Sequence, residues 1–101
     1  MYLLMLADGF EEIEAITFAD ILRRAQIDVK TVSVTENKNV TGSHKISFCA
    51  DLTCSEVDID SVDGAALPGG LPGTYNLAES EFVKSLFISL NNRKKLVGAI
   101  C

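Results

Sequence analysis

The chain ends on a cysteine, Cys101, directly after an apolar run, Leu96-Val-Gly-Ala-Ile100. A thiol in the turn between a buried strand and a following helix is placed like the nucleophile of a strand–turn–helix elbow. Amides at a helix N-terminus favour the thiolate and can bring a thiol pKa from ~8.5 to below neutrality. Cysteine alone is more often buried and inert, so its company decides. Glu14 is the second candidate, a carboxylate near Ile13 and Ile16 on the inner side of a helix. Beside a thiol it could pass a proton to and fro, and apolar walls would raise its pKa; most single helical glutamates are simply solvated. Third is Pro68-Gly69-Gly70-Leu71. Glycines after a strand let backbone N–H groups approach a ligand, so the amides of Gly69, Gly70 and Leu71 could hold a developing oxyanion, although a bare Pro-Gly-Gly usually marks a tight turn.

The elements that must bring these groups together follow from the pattern. Residues 2–7 are a continuous apolar run, as in a strand buried on both faces, and Asp8-Gly9 breaks it. Residues 11–25 carry Ile13, Ile16, Phe18, Ile21, Leu22 and Ala25 at near-helical spacing, with Glu11 and Glu12 at the start and Arg23 and Arg24 at the end, the order the helix dipole favours. Residues 28–35 alternate and are β-branched, a second strand. Residues 40–49 read as a hairpin or extended excursion, and the acidic stretch 56–63 as a loop or short helix. Residues 64–67 form a third strand, 77–92 one helix with Leu77, Phe82, Val83, Leu86, Phe87 and Leu90 inward, and 96–100 a last strand whose apolar character predicts a central position. Strand, helix, strand within ~35 residues implies a parallel pair with a right-handed crossover. The fold class is therefore α/β, a doubly wound, mainly parallel sheet between helical layers (α-β-α). Ligands gather in such sheets beyond the carboxyl ends of the strands, where the loops at 8–14, 68–73 and Cys101 all land.

Composition narrows the functions. At 101 residues, 48% hydrophobic and 23% charged, the chain makes at most one domain and is ordered rather than disordered. A net charge of -5 with no basic face argues against nucleic acid or an anionic membrane as partner. Residues 1–7 are too short for a span of ~20 apolar residues and lack a basic leader. The three cysteines, Cys49, Cys54 and Cys101, have no metal-ligand spacing, so no metal is expected; an odd count without a leader suggests reduced thiols and a cytoplasmic location. No phosphate loop or nucleotide fingerprint is present, so no cofactor is expected. A receiver-type phosphoacceptor domain fits Asp8, Glu11 and Glu12 but needs an aspartate where this chain has Leu67-Pro68. Because a helix after Cys101 would cover the last strand, residues 1–101 are expected to be the N-terminal part of one domain, partnered by a C-terminal remainder.

Five motifs, Leu6-Ala-Asp-Gly-Phe-Glu-Glu-Ile-Glu-Ala15, Arg23-Arg24-Ala25, Ala66-Leu-Pro-Gly-Gly70, Asn76-Leu-Ala-Glu-Ser80 and Val97-Gly-Ala-Ile-Cys101, together resemble the ThiJ/PfpI superfamily along the whole chain. They are most similar to the branch holding deglycases and proteins labelled for thiazole monophosphate biosynthesis. The resemblance implies a flavodoxin-like fold, a homodimer, Cys101 as nucleophile, Glu14 as its protonated carboxylate partner, Gly70 as an oxyanion donor and Cys49 near the dimer interface. It implies cofactor-free glyoxalase or deglycase chemistry on small α-oxoaldehydes, or alternatively a redox-sensing or chaperone role. The family's downstream histidine has no counterpart here, and His44, the only histidine, lies too early to replace it.

Overall fold

A computed structural model describes residues 1–101. Its main sheet has the order β5-β2-β1-β6-β7, built from β1 (Tyr2–Leu6), β2 (Val29–Ser33), β5 (Leu52–Thr53), β6 (Gly64–Leu67) and β7 (Leu96–Ala99). Every pairing in it is parallel. β3 (Asn39–Thr41) and β4 (Ser47–Cys49) form a separate antiparallel hairpin. Helix α1 (Glu12–Arg24) covers one face; α2 (Gly73–Glu79) and α3 (Glu81–Asn92) cover the other.

β1 shows why the sheet sits in the middle. Leu3 and Met5 join Leu77, Val83, Leu86 and Leu90 on the α2–α3 side, while Leu4 and Leu6 meet Ala15 and Ala19 on the α1 side. Alternation along a strand sends neighbours to opposite faces, so an unbroken apolar run must be sandwiched. Each such buried leucine stabilises the fold by ~1.5–3 kcal/mol relative to exposure. The chain moves outward from β1 through β2 to β5, then returns to lay β6 on the other side. The order reverses between β1 and β6, and the crevice beyond their carboxyl ends is where such a sheet can hold a ligand. No helix is long and apolar enough to cross a membrane.

Two expectations are corrected. Helix α1 buries Glu12, Ala15 and Ala19, not its isoleucines; Ile13 and Ile21 are 76% and 58% exposed. The small alanines let the helix lie close to the sheet, and helical spacing turns Ile13, Thr17 and Ile21 to the opposite side. The expected helix over 77–92 is two helices. Ser80 is extended (φ -75°, ψ 118°) and its hydroxyl accepts the Val83 N–H at 3.2 Å, capping α3. Within residues 1–101, β7 pairs with β6 alone and leaves Leu96 and Val97 exposed. Residues 54–56 and 59–61 are single 3-10 turns, and β5 is a strand of only two residues.

The loops after β1 and β6 interlock. Gly9 has φ +89°, its carbonyl accepts the Gly73 N–H at 3.2 Å, and a Cβ there would fall 2.5 Å from Pro72 Cδ and 2.6 Å from Gly73 N. Gly9→Ala is expected to cost about 1–3 kcal/mol through left-handed strain and displacement of α2. Chemical denaturation checks this as a lower midpoint at unchanged m.

Candidate functional site

Cys101 has φ +68°, in the left-handed region where a non-glycine residue is strained, as in a sharp turn that projects a nucleophile. The Ile100 N–H bonds to Leu67 O at 3.1 Å, which continues the β6–β7 pairing up to the cysteine. Gly69 is the pivot. A Cβ on it would lie 2.6 Å from Cys101 Cβ and 2.7 Å from Glu14 Oε1, so only hydrogen fits between the thiol-bearing turn and the carboxylate. Its N–H donates to Glu14 Oε1 at 2.8 Å and its carbonyl accepts the Glu11 N–H at 2.8 Å. Residues 14, 69 and 101, separated widely along the chain, thus meet at one end of the sheet.

The Gly69 N–H is taken by Glu14. The amides of Gly70 and Leu71 have no acceptor within the chain. Gly70 has φ +105°, and a Cβ would strike Glu11 N at 2.5 Å, which ties this turn to the head of α1. A cleft of about 380 Å³ opens beside Cys101, walled by Leu67, Pro68, Leu77, Val83, Phe87 and Ile100. A second, about 220 Å³, reaches Glu14 between Phe18, Leu67 and Ile100. A larger concavity lies by Asp8, Asn37, Cys54 and Asn76 and contains none of the three convergent groups.

The hydrogen bond and charge of Glu14, then burial, then the charge of Glu11 push the Cys101 thiol above its ordinary 9.0. A neighbouring carboxylate disfavours a second negative charge. Cys49 is exposed on β4, far in sequence from the pivot, with only Ala50 O in reach of its sulfur. Cys54 is pushed up by burial and by Glu36, with Sγ 3.4 Å from Val34 O.

Sequence reasoning missed a second cluster. Glu12 is 4% exposed. Its carboxylate accepts the N–H groups of His44 at 2.8 Å and Ile46 at 3.3 Å and the Ser43 hydroxyl at 3.3 Å, and lies 2.9 Å from His44 Nδ1. Glu11 Oε2 is 3.9 Å from the same ring nitrogen. Burial alone would raise the Glu12 carboxyl, but the His44 side chain, its own amide and the N–H groups of His44 and Ile46 overcome that and hold it at about 2. The bond to Glu12, then the charges of Glu11 and Glu12, raise His44 above its ordinary 6.5. Glu11, Glu12 and His44 are metal-ligand types grouped within 4.8 Å, yet both Glu12 oxygens already serve hydrogen-bond donors, so a cation would have to displace the 43–46 turn.

The signs give a stability profile. The depressed Glu12 adds stability that is full above pH 4.5 and lost as pH falls toward 2; the raised His44 adds stability that is full below pH 6.5 and lost as pH rises through its elevated value. Denaturation across pH is expected to show this pair's contribution greatest between 4.5 and 6.5. Glu12→Gln should flatten both limbs.

The sequence matches the DJ-1/PfpI family over residues 2–101. The chain belongs to that family. It is 37% identical over 99 residues to the protein dj-1beta of Drosophila melanogaster and 36% over 100 residues to the Parkinson disease protein 7 homolog of Danio rerio, covering 98% of this chain and 53% of each relative. A deglycase of Thermococcus kodakarensis is 37% identical over 68 residues, 67% of this chain and 40% of that protein. The solved structure of oxidized Toxoplasma gondii DJ-1 superposes with a TM-score of 0.95 at 34% identity, covering 99% of this chain and 54% of that one. The chain thus spans about half the length of these family members, and its flavodoxin-like fold is theirs.

Proposed function

We propose that this chain carries the thiol half of a cofactor-free site that converts small α-oxoaldehydes, or their adducts, to hydroxy acids, with Cys101 as nucleophile and Glu14 as proton carrier. The observation that supports it is the pivot at Gly69, where the thiol turn and the carboxylate both crowd the space a side chain would fill. Glu14 accepts the thiol proton as sulfur bonds to the aldehyde carbon; the carbonyl π pair becomes an oxyanion facing the Gly70 and Leu71 amides and takes a proton to give a hemithioacetal. Glu14 next removes the proton on that carbon, giving an enediol, and returns it to the neighbouring carbon. The resulting thioester is hydrolysed by water to the hydroxy acid and free thiol. The aldehyde carbon is oxidised and its neighbour reduced, so no external electron carrier is needed.

The 37% identical deglycase is consistent with this class. The exposed Ile13 and Ile21 of α1 would suit burial against a second copy in a homodimer. The test is turnover of methylglyoxal to lactate by the full protein without glutathione or metal, blocked when iodoacetamide labels Cys101. No turnover overturns the proposal. A second reading is favoured by the oxidized state of the Toxoplasma relative. It is a sensor in which peroxide is reduced to water as the sulfur becomes a sulfenic acid; a peroxide-dependent mass gain at Cys101 without turnover selects it.

A further inference from the structure

The two clefts that reach the thiol and its carboxylate partner carry opposite charges. In the cleft of about 380 Å³ on the α2–α3 side, which Cys101 itself lines, the one charged side chain is Lys84. In the cleft of about 220 Å³ on the α1 side, the one charged side chain is Glu14. Leu67, Pro68, Ala99 and Ile100 line both, so the strand ends form a shared apolar wall with a cation on one side and a carboxylate on the other. The first cleft is also joined to the oxyanion turn. Thr74 lines it, and both the Thr74 N–H and its hydroxyl donate to Gly70 O at 2.9 Å. Lys84 projects from α3, half-exposed, with Nζ 3.4 Å from Glu81 Oε1. That is an exposed i, i+3 pair, a kind worth little in water, so the ammonium remains free to meet a second anion.

We propose that Lys84 orients substrates at Cys101 by their charge: a carboxylate-bearing tail lies in the Lys84 cleft, its apolar stem against Val83 and Phe87, and the electrophilic end faces the sulfur with Glu14 beyond it. The reverse placement would press the tail against Glu14 inside an apolar pocket, where like charges repel strongly. The inference names the substrate class as α-oxoaldehydes that end in a carboxylate, such as dioxovalerate. That substrate arm rests on the α-oxoaldehyde reading; the electrostatic arm rests only on what lines the cleft. Removing the single cation of a partly wet apolar cleft lowers the local concentration of an entering anion by about two- to tenfold. Neutral methylglyoxal would be indifferent to the change.

The experiment compares alkylation of Cys101 by anionic iodoacetate and neutral iodoacetamide in the full protein, read on the Cys101 peptide by mass. Both reagents meet the same thiolate, so its ionisation cancels from the ratio of rates. The iodoacetate-to-iodoacetamide ratio is expected to fall several-fold in Lys84→Gln, further in Lys84→Glu, and to hold in Lys84→Arg. Lys94→Gln removes the same charge from a residue that lines neither cleft, and should leave the ratio unchanged. A ratio that ignores Lys84→Glu, or that falls equally in Lys94→Gln, overturns the proposal. The kcat/KM of dioxovalerate over that of methylglyoxal should drop with Lys84→Gln, chiefly through KM. Turnover of both aldehydes with no such drop would remove the substrate class and leave the enzyme reading intact. The expected alkylation pattern with no turnover of either aldehyde would sink the enzyme reading and leave the role of Lys84 standing.

Discussion

Cys101→Ala is expected to reduce methylglyoxal turnover by the full protein at least ~10³-fold, to the level of solvent and general-base background. The thiol is the one group at the Gly69 pivot able to form a bond to the aldehyde carbon; Glu14 is already bonded to the Gly69 N–H, and Gly70 and Leu71 offer only amides. The control variants are Cys49→Ala and Cys54→Ala. Cys49 is exposed on the hairpin, and Cys54 sits against Val34 O and Glu36, in a different concavity from Cys101. Each should stay within about twofold of the parent rate. Loss of turnover in either control, or retention in Cys101→Ala, removes the nucleophile assignment. Steady-state kinetics with lactate as the measured product decides it.

Glu14→Gln is expected to move two observables in opposite directions. The amide keeps an oxygen for the Gly69 N–H bond, so the turn is held, but the negative charge beside the sulfur is gone. Because the hydrogen bond and charge of Glu14 are the foremost reasons the thiol is pushed up, the Cys101 pKa should fall and alkylation by iodoacetamide near neutral pH should accelerate. Turnover, by contrast, should drop by ~10²–10⁴-fold, the usual contribution of a positioned proton carrier. A sensor that needs only thiolate predicts a gain in peroxide reactivity with no associated loss, so the pair of measurements separates the two readings. If alkylation and turnover rise together, Glu14 is not the proton carrier.

The sequence made some of this legible and hid the rest for identifiable reasons. Leu3 to Leu6 dictated a sandwiched strand, and the acidic start and basic end of α1 marked its direction. The convergence of Glu14, Gly69 and Cys101 followed from placing each just beyond a strand end in a doubly wound sheet. Three things were out of reach. Helix α1 packs through Ala15 and Ala19, whose small side chains carry little hydropathy, so its isoleucines suggested the wrong face. The break at Ser80 was signalled only by a serine before an acidic residue, inside a run whose apolar spacing was continuous. Glu12 was hidden most deeply: its partners arrive from residues 43–46, and nothing local distinguishes it from Glu11.

The clasp between the glycines of the β1–α1 and β6–α2 loops has a bearing on affinity. Gly9 sits against Pro72, Gly70 against the Glu11 amide, and Gly73 against the Gly9 carbonyl. The amides that would cradle an anion therefore lose their freedom when the polypeptide first folds, and a visiting molecule has no flexible segment left to tame. The same rigidity makes loop length a shared property: lengthening either segment by a single residue would shift both, and the thiol with them.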